Sequence, residues 1–251
     1  MKVRKIAVGG GLTALLSTLI AATMIVVNPR LSSAFPPYHL TDADTADPWW
    51  LEWRAGFSRL TRDAGENSWA SWPLLRINLG LPGQMEFVSE FAYAPGDGKY
   101  SDAAAGLKWV SGGARTSFGV ETQALLPDPG VSGTGVETVF LMTVRWDDAL
   151  AHFNVGGLYS ERGKDVGRGW EGGAIVEKKM GSLRPGVEIF ARQINSGPAQ
   201  VSISAGLIIP FGLLDIRIGA GSGLTEAAPD FSASLWITGK FPLTENASGL
   251  R

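Results

Sequence analysis

From Trp49 to Phe241 the chain repeats one unit: about ten residues in which apolar and polar side chains alternate, followed by a connector. Successive side chains of a strand point to opposite faces, so each unit has one apolar and one polar face. The connectors near 80–84, 111–114, 147–149, 181–182 and 210–212 read as short turns. Those near 61–70, 95–100, 127–135, 160–169 and 220–229 read as longer, and the one near 195–199 is the least developed of that set. Two-faced strands joined by alternating long and short connectors predict an all-β fold, an antiparallel up-and-down transmembrane β-barrel of about twelve strands.

The charges settle which face is which. Strand-interior charges fall opposite the apolar row: Glu52 with Arg54, Glu86 with Glu90, Glu137 with Arg145, Glu177 with Lys179, Arg184 with Glu188 and Arg192, and Asp215 with Arg217. A soluble β-sandwich would show the same alternation. Aromatic residues near strand ends on the apolar parity (Trp53, Tyr93, Trp109, Trp146, Tyr159) and the absence of a Greek-key crossover favour a barrel in lipid, with an aromatic girdle outside and a polar lumen. With both ends of the chain in the periplasm, the short turns are periplasmic and the long connectors face outward.

Residues 1–34 read as a signal peptide. Lys2, Arg4 and Lys5 precede an apolar run from Ile6 to Val27, and Ser32 and Ala34 form a small-residue cleavage site before Phe35. The run is also long enough to remain as an uncleaved membrane anchor. Removing 4 of the 22 basic residues leaves 18 against 24 acidic ones, a net charge of −6. No basic stripe remains for a phosphate backbone, so nucleic acid is not an expected partner. The chain has no Cys, which excludes disulfides and thiolate metal sites. Residues 35–48 (FPPYHLTDADTADP) show no period and are expected to be a flexible or loosely packed periplasmic lead-in. The barrel is expected over 49–241 and a C-terminal tail over 242–251.

The segments LLRINLGLPGQMEF, AAAGLKWV, HFNVGGLY, PGVEIFAR and VSISAGLIIPFGLLDIRIGAGSGL, with the closing PDFSASLWITGKF, resemble the outer-membrane barrels of the "meta-pathway of phenol degradation" transporter family. The resemblance covers most of the chain after the signal. It implies a roughly twelve-stranded, porin-like transporter of a Gram-negative envelope that passes small, often aromatic or hydrophobic, solutes. Barrels of this kind commonly end on an aromatic residue that the assembly machinery reads. Here Phe241 closes the last strand and Thr244 to Arg251 follow, so the signal is read internally or the tail is tolerated.

Other motifs carry less. Gly167-x-Gly169-x-x-Gly172 spells a dinucleotide fingerprint but opens a strand rather than a helix. Asn246-Ala-Ser248 spells a glycosylation acceptor by chance. No GxSxG and no metal-ligand spacing occurs, so neither a catalytic activity, a cofactor nor a metal is expected. The residues expected to line the lumen and set selectivity are Arg54, Arg76, Glu86, Glu90, Lys108, Glu121, Glu137, Arg145, His152, Glu188, Arg192 and Arg217. Their arrangement is open between a salt-bridged filling of the barrel and a polar constriction that sorts solutes. The expected function is therefore a passive outer-membrane channel. The alternatives are a closed structural or partner-binding barrel without transport and a hydrolase built on His152. The expected partners are outer-membrane lipid, a small solute and the barrel-assembly machinery during biogenesis.

Overall fold

A computed structural model describes residues 38–62, 67–94, 99–127, 133–162 and 165–244. The signal segment and most of the tail lie outside the described residues, as does the Tyr93 side chain. Twelve strands follow in chain order: β1 (Trp50–Arg62), β2 (Asn67–Leu81), β3 (Met85–Ala94), β4 (Lys99–Gly112), β5 (Thr116–Leu125), β6 (Gly135–Arg145), β7 (Ala149–Arg162), β8 (Asp165–Lys178), β9 (Arg184–Ile194), β10 (Gln200–Phe211), β11 (Leu214–Gly223) and β12 (Phe231–Pro242). Each pairs antiparallel with its neighbours in sequence. Pairing of β1 with β12, from Trp50↔Pro242 to Thr61↔Phe231, closes the barrel and removes both sheet edges.

The two faces are distributed inside out relative to a soluble protein. Phe140 and Val155 are more than 60% exposed, and Val187 and Leu235 are about half exposed, whereas Arg54, Lys108, Glu177 and Arg217 are at most 2% exposed. An apolar belt of this extent is disfavoured in water and matched by lipid. Trp109, Trp146 and Tyr159 stand exposed on the outer face as expected of a girdle. Trp53 lies flat over its register partner Gly239, where a Cβ would come within 2.7 Å of the indole.

Two expectations are corrected in the connectors. The described residues of the segments near 61–70 and 160–169 are strand: β1 and β2 pair as far as Arg62↔Asn67, and β7 and β8 as far as Arg162↔Asp165. The connectors described in full at this end are 195–199 and 224–230. The opposite end carries tight turns, with Gly83 and Gly212 at positive φ.

The larger correction concerns the lead-in. Residues 38–48 are packed inside the barrel: Tyr38, Leu40, Asp42, Ala43 and Ala46 are buried. The chain turns back at Trp49, whose N–H donates to the Gly80 carbonyl oxygen at 2.8 Å, and the preceding residues run along the inner wall. The barrel makes room for them. A Cβ on Gly80 would lie 2.0 Å from the Asp47 carbonyl oxygen, and one on Gly186 would lie 2.3 Å from the Tyr38 hydroxyl. We call residues 38–48 the strap.

Candidate functional site

The strap crosses the lumen at the short-turn end and is held by side chains from consecutive regions of the wall. Glu188 on β9 accepts from the His39 and Leu40 N–H groups at 2.8 and 2.9 Å. Asn154 on β7 accepts from the Thr41 N–H and donates to the Thr41 carbonyl, both at 2.8 Å. Thr143 on β6 accepts from the Ala43 N–H at 2.8 Å, and Ser117 on β5 donates to the Ala43 carbonyl at 2.7 Å. Glu86 on β3 accepts from the Ala46 N–H at 2.6 Å. A buried backbone amide without a partner is costly, so this matched set defines one seating of the strap.

Two ion pairs and two small apolar clusters complete the hold. Lys108 Nζ lies 3.0 Å from Asp42 Oδ1, with both side chains fully buried. Arg145 pairs with Asp44. Tyr38 and Leu40 pack with Ile175 and Phe190, and Ala43 packs with Val110, Leu141 and Val139. These wall residues share the lumenal parity, so the lumen is not uniformly polar as expected. Its apolar positions sit where the strap needs a surface.

His39 stacks on Phe190 with ring centroids 4.7 Å apart, and its Nδ1 lies 2.9 Å from Glu188 Oε2. Burial alone would lower the His39 pKa, but the Glu188 hydrogen bond and charge outweigh it, and the imidazole is held above its ordinary value. Burial, with Glu177 and Glu188 nearby, holds the Tyr38 phenol well above its ordinary range.

Every sequence-predicted lumenal residue faces the interior, at two levels. Arg54, Glu86, Lys108, Arg145, His152, Glu188 and Arg217 lie at the level of the strap. There Arg54 pairs with Glu52 at 3.2 Å, Arg217 with Asp215 at 3.0 Å and Arg184 with Glu177 at 3.6 Å. This level is closed: nearly all of these side chains are buried. His152 is wholly buried, with its Nδ1 2.9 Å from Thr143 Oγ1.

Above the strap, toward the long-loop end, Arg76, Glu90, Glu121 and Glu137 border a cavity of about 270 Å³. Arg76 donates to Glu90 at 2.9 Å and to Glu121 at 2.8 Å. Arg192 stands 3.7 Å from Glu171 and 4.0 Å from Glu137. The strap residues Tyr38 to Thr41 form the floor, and Leu74, Val139 and Trp236 add apolar wall.

Sequence reasoning missed Asp42, Asp44, Glu171 and Trp236. Glu171 was readable, since it shares odd parity with Glu177. The strap acids were not, because their partners lie on strands distant in sequence. Among the described residues no cluster is arranged to hold a metal ion.

No family model matches the chain, and no curated protein matches it in sequence. Solved structures share the fold. The COG4313 outer membrane channel from Pseudomonas putida F1 superposes with a TM-score of 0.59 at 13% identity, over 86% of this chain and 100% of that one. The NanC porin gives 0.54 at 9% identity, over 77% and 100%. The KdgM porin gives 0.53 at 11% identity, over 75% and 99%. The chain therefore has the fold of twelve-stranded outer-membrane barrels.

Proposed function

We propose that this protein is an outer-membrane channel for small solutes, closed at its periplasmic end by the strap. The observation that carries the reading is the division of the lumen. A solute-sized polar cavity borders the long-loop end, and a separately bonded chain segment, rather than the barrel wall alone, seals the other. A segment held by side-chain hydrogen bonds and two ion pairs can leave without breaking a single barrel ladder. The shared fold of outer-membrane channels supports passage, and the resemblance to the phenol-pathway family suggests small, aromatic or hydrophobic molecules as solutes.

The absence of native Cys gives a direct test. Ser117 Oγ donates to the Ala43 carbonyl oxygen at 2.7 Å, so Ala43→Cys/Ser117→Cys puts one thiol on the strap and one on the neighbouring wall, and oxidised protein in which mass spectrometry finds the disulfide has its strap locked down. In planar bilayers the reduced protein is expected to conduct intermittently and the oxidised protein to stay shut. Absence of both conductance and solute uptake in the reduced form overturns the reading. That outcome would favour a closed structural or partner-binding barrel, which the burial of the short-turn half also fits.

A further inference from the structure

The seam between β2 and β3 differs from the other seams that join hairpins at the long-loop end. β12 and β1 pair as far as Thr61↔Phe231. At β4–β5, β6–β7, β8–β9 and β10–β11 a backbone hydrogen bond passes the last strand pair: the N–H groups of Leu126, Glu161, Asn195 and Leu224 donate to Ala103, Thr134, Arg168 and Val201 respectively. Among the described residues β2 and β3 pair only as far as Leu74↔Ala92, although β2 continues to Asn67 and β3 to Ala94. The next residue of β2 is Pro73, which has no N–H with which to extend the ladder. A barrel in lipid pairs its backbone all round, so a seam that stops short is a break in the wall.

Both flanking ladders are interrupted at the same height. The register shifts between Gly56 and Ser58 on the β1 side, and between Glu90 and Ala92 on the β4 side. These bulges adjoin the terminal pair, since Leu74 stands opposite Gly56 and Ala92 opposite Ser101. Bulges bend a strand and re-aim its side chains. Pairing therefore ends where β2 and β3 each leave a regular path.

The cavity above the strap meets the wall at this point. On β5 to β8 and on β12 it touches residues of lumenal parity alone. On β2 and β3 it touches consecutive residues, 74–76 and 90–92. Leu75 and Phe91 among them share the outward parity of Ile77 and Phe87, which are 38% and 39% exposed on the lipid side. An intact wall presents one parity to its lumen, so contact with both places the cavity at an edge in the wall. The lumenal approach to that edge is apolar. Leu74 and Ala92 flank it, and Trp236 covers Gly56 so closely that a Cβ there would come within 2.3 Å of the indole.

We infer that the cavity opens sideways through the β2–β3 seam into the outer leaflet, and that small uncharged apolar molecules pass between lumen and lipid there. This route does not cross the strap. It rests on the channel reading above for transport, whereas the opening rests on the wall alone.

The chain has no native Cys, so a single thiol can be placed on the lumenal side of the seam. Leu74→Cys in lipid vesicles is treated with N-(1-pyrenyl)maleimide dissolved in the bilayer, with glutathione in the water to consume reagent that leaves the lipid. Ser202→Cys is the control: Ser202 is also lumenal and half-buried, but it is paired on both sides, with Phe190 and Gly223. Ile203→Cys, on the outer face, gives the rate for direct lipid contact. Mass spectrometry is expected to find Leu74→Cys labelled from the lipid and Ser202→Cys unlabelled. Leu74→Cys labelled no faster than Ser202→Cys, while Ile203→Cys reacts, overturns the inference. Heat-dependent gel mobility reports folding. If Leu74→Cys does not fold, Ala92→Cys across the same pair takes its place. Bilayer conductance is read separately: labelling without conductance removes the channel and keeps the opening, and conductance without labelling does the reverse.

Discussion

Lys108 Nζ lies 3.0 Å from Asp42 Oδ1, and solvent reaches neither side chain. One partner belongs to the barrel wall and the other to the strap, so this pair ties the two together where water cannot compete. In register, Lys108 also stands between Glu86 and Glu121 on the adjacent strands. It is thus the cation around which the lower lumen is arranged.

Removing one member of a buried pair leaves an uncompensated charge. Lys108→Met is expected to lower stability by about 3–5 kcal/mol in urea unfolding from detergent. Adding Asp42→Asn should restore part of the loss, with a coupling of about 0.5–3 kcal/mol, and not all of it, because Glu86 and Glu121 remain. Strictly additive effects of the two changes would show that the strap does not engage Lys108.

The two faces should respond differently to substitution. Val187 and Leu235 face outward, and Arg at either position is expected to cost about 2–4 kcal/mol if it lies at mid-bilayer depth. Arg192→Leu changes the cavity instead and should leave insertion into membranes intact. Membrane-fraction yield and heat-dependent gel mobility measure both. Equal behaviour of the two classes would overturn the assignment of faces.

The strands were legible because period two is a local pattern that lipid enforces from outside. The upper ends of the β1–β2 and β7–β8 hairpins were not, because Ser58–Arg62 and Ser160–Arg162 are largely polar while their backbones keep pairing. The strap was invisible to periodicity, since FPPYHLTDADTADP takes its partners from Glu188, Asn154, Thr143 and Glu86 across the barrel. One signal did exist. Val88, Val110, Leu141, Ile175 and Ile208 interrupt the polar parity of their strands and are buried in the lumen. Apolar residues on the wet face of a barrel imply that something is packed against them.

The strap's hold should depend on pH through His39. Its folded pKa lies above the unfolded value of about 6.5. Stabilisation from the charged His39–Glu188 pair is therefore fully present below about pH 6.5 and is lost as pH rises through the folded value. Wild-type protein should lose its stability advantage over His39→Asn across that rise, and channel openings should become more frequent. A pH-independent difference between the two proteins would mean that the imidazole is neutral throughout.

Strap and barrel can be uncoupled at Gly80. Its ideal Cβ would fall 2.0 Å from the Asp47 carbonyl oxygen and 2.5 Å from that of Ala46. These are backbone atoms, so a rotamer change cannot relieve the overlap. The ladder of β2 leaves little freedom on its side: Gly80 pairs with Glu86 of β3, and its carbonyl accepts the Trp49 N–H. The strap, anchored by separate side-chain contacts, is the part that yields. Gly80→Ala should therefore shift residues 46–47 and weaken the Ala46–Glu86 hydrogen bond, while the barrel still forms. The expected readouts are unchanged gel mobility, faster proteolysis between residues 38 and 48, and a higher open fraction in planar bilayers. Conductance identical to wild type, together with demonstrably faster strap proteolysis, would show that displacing the strap does not open the lumen.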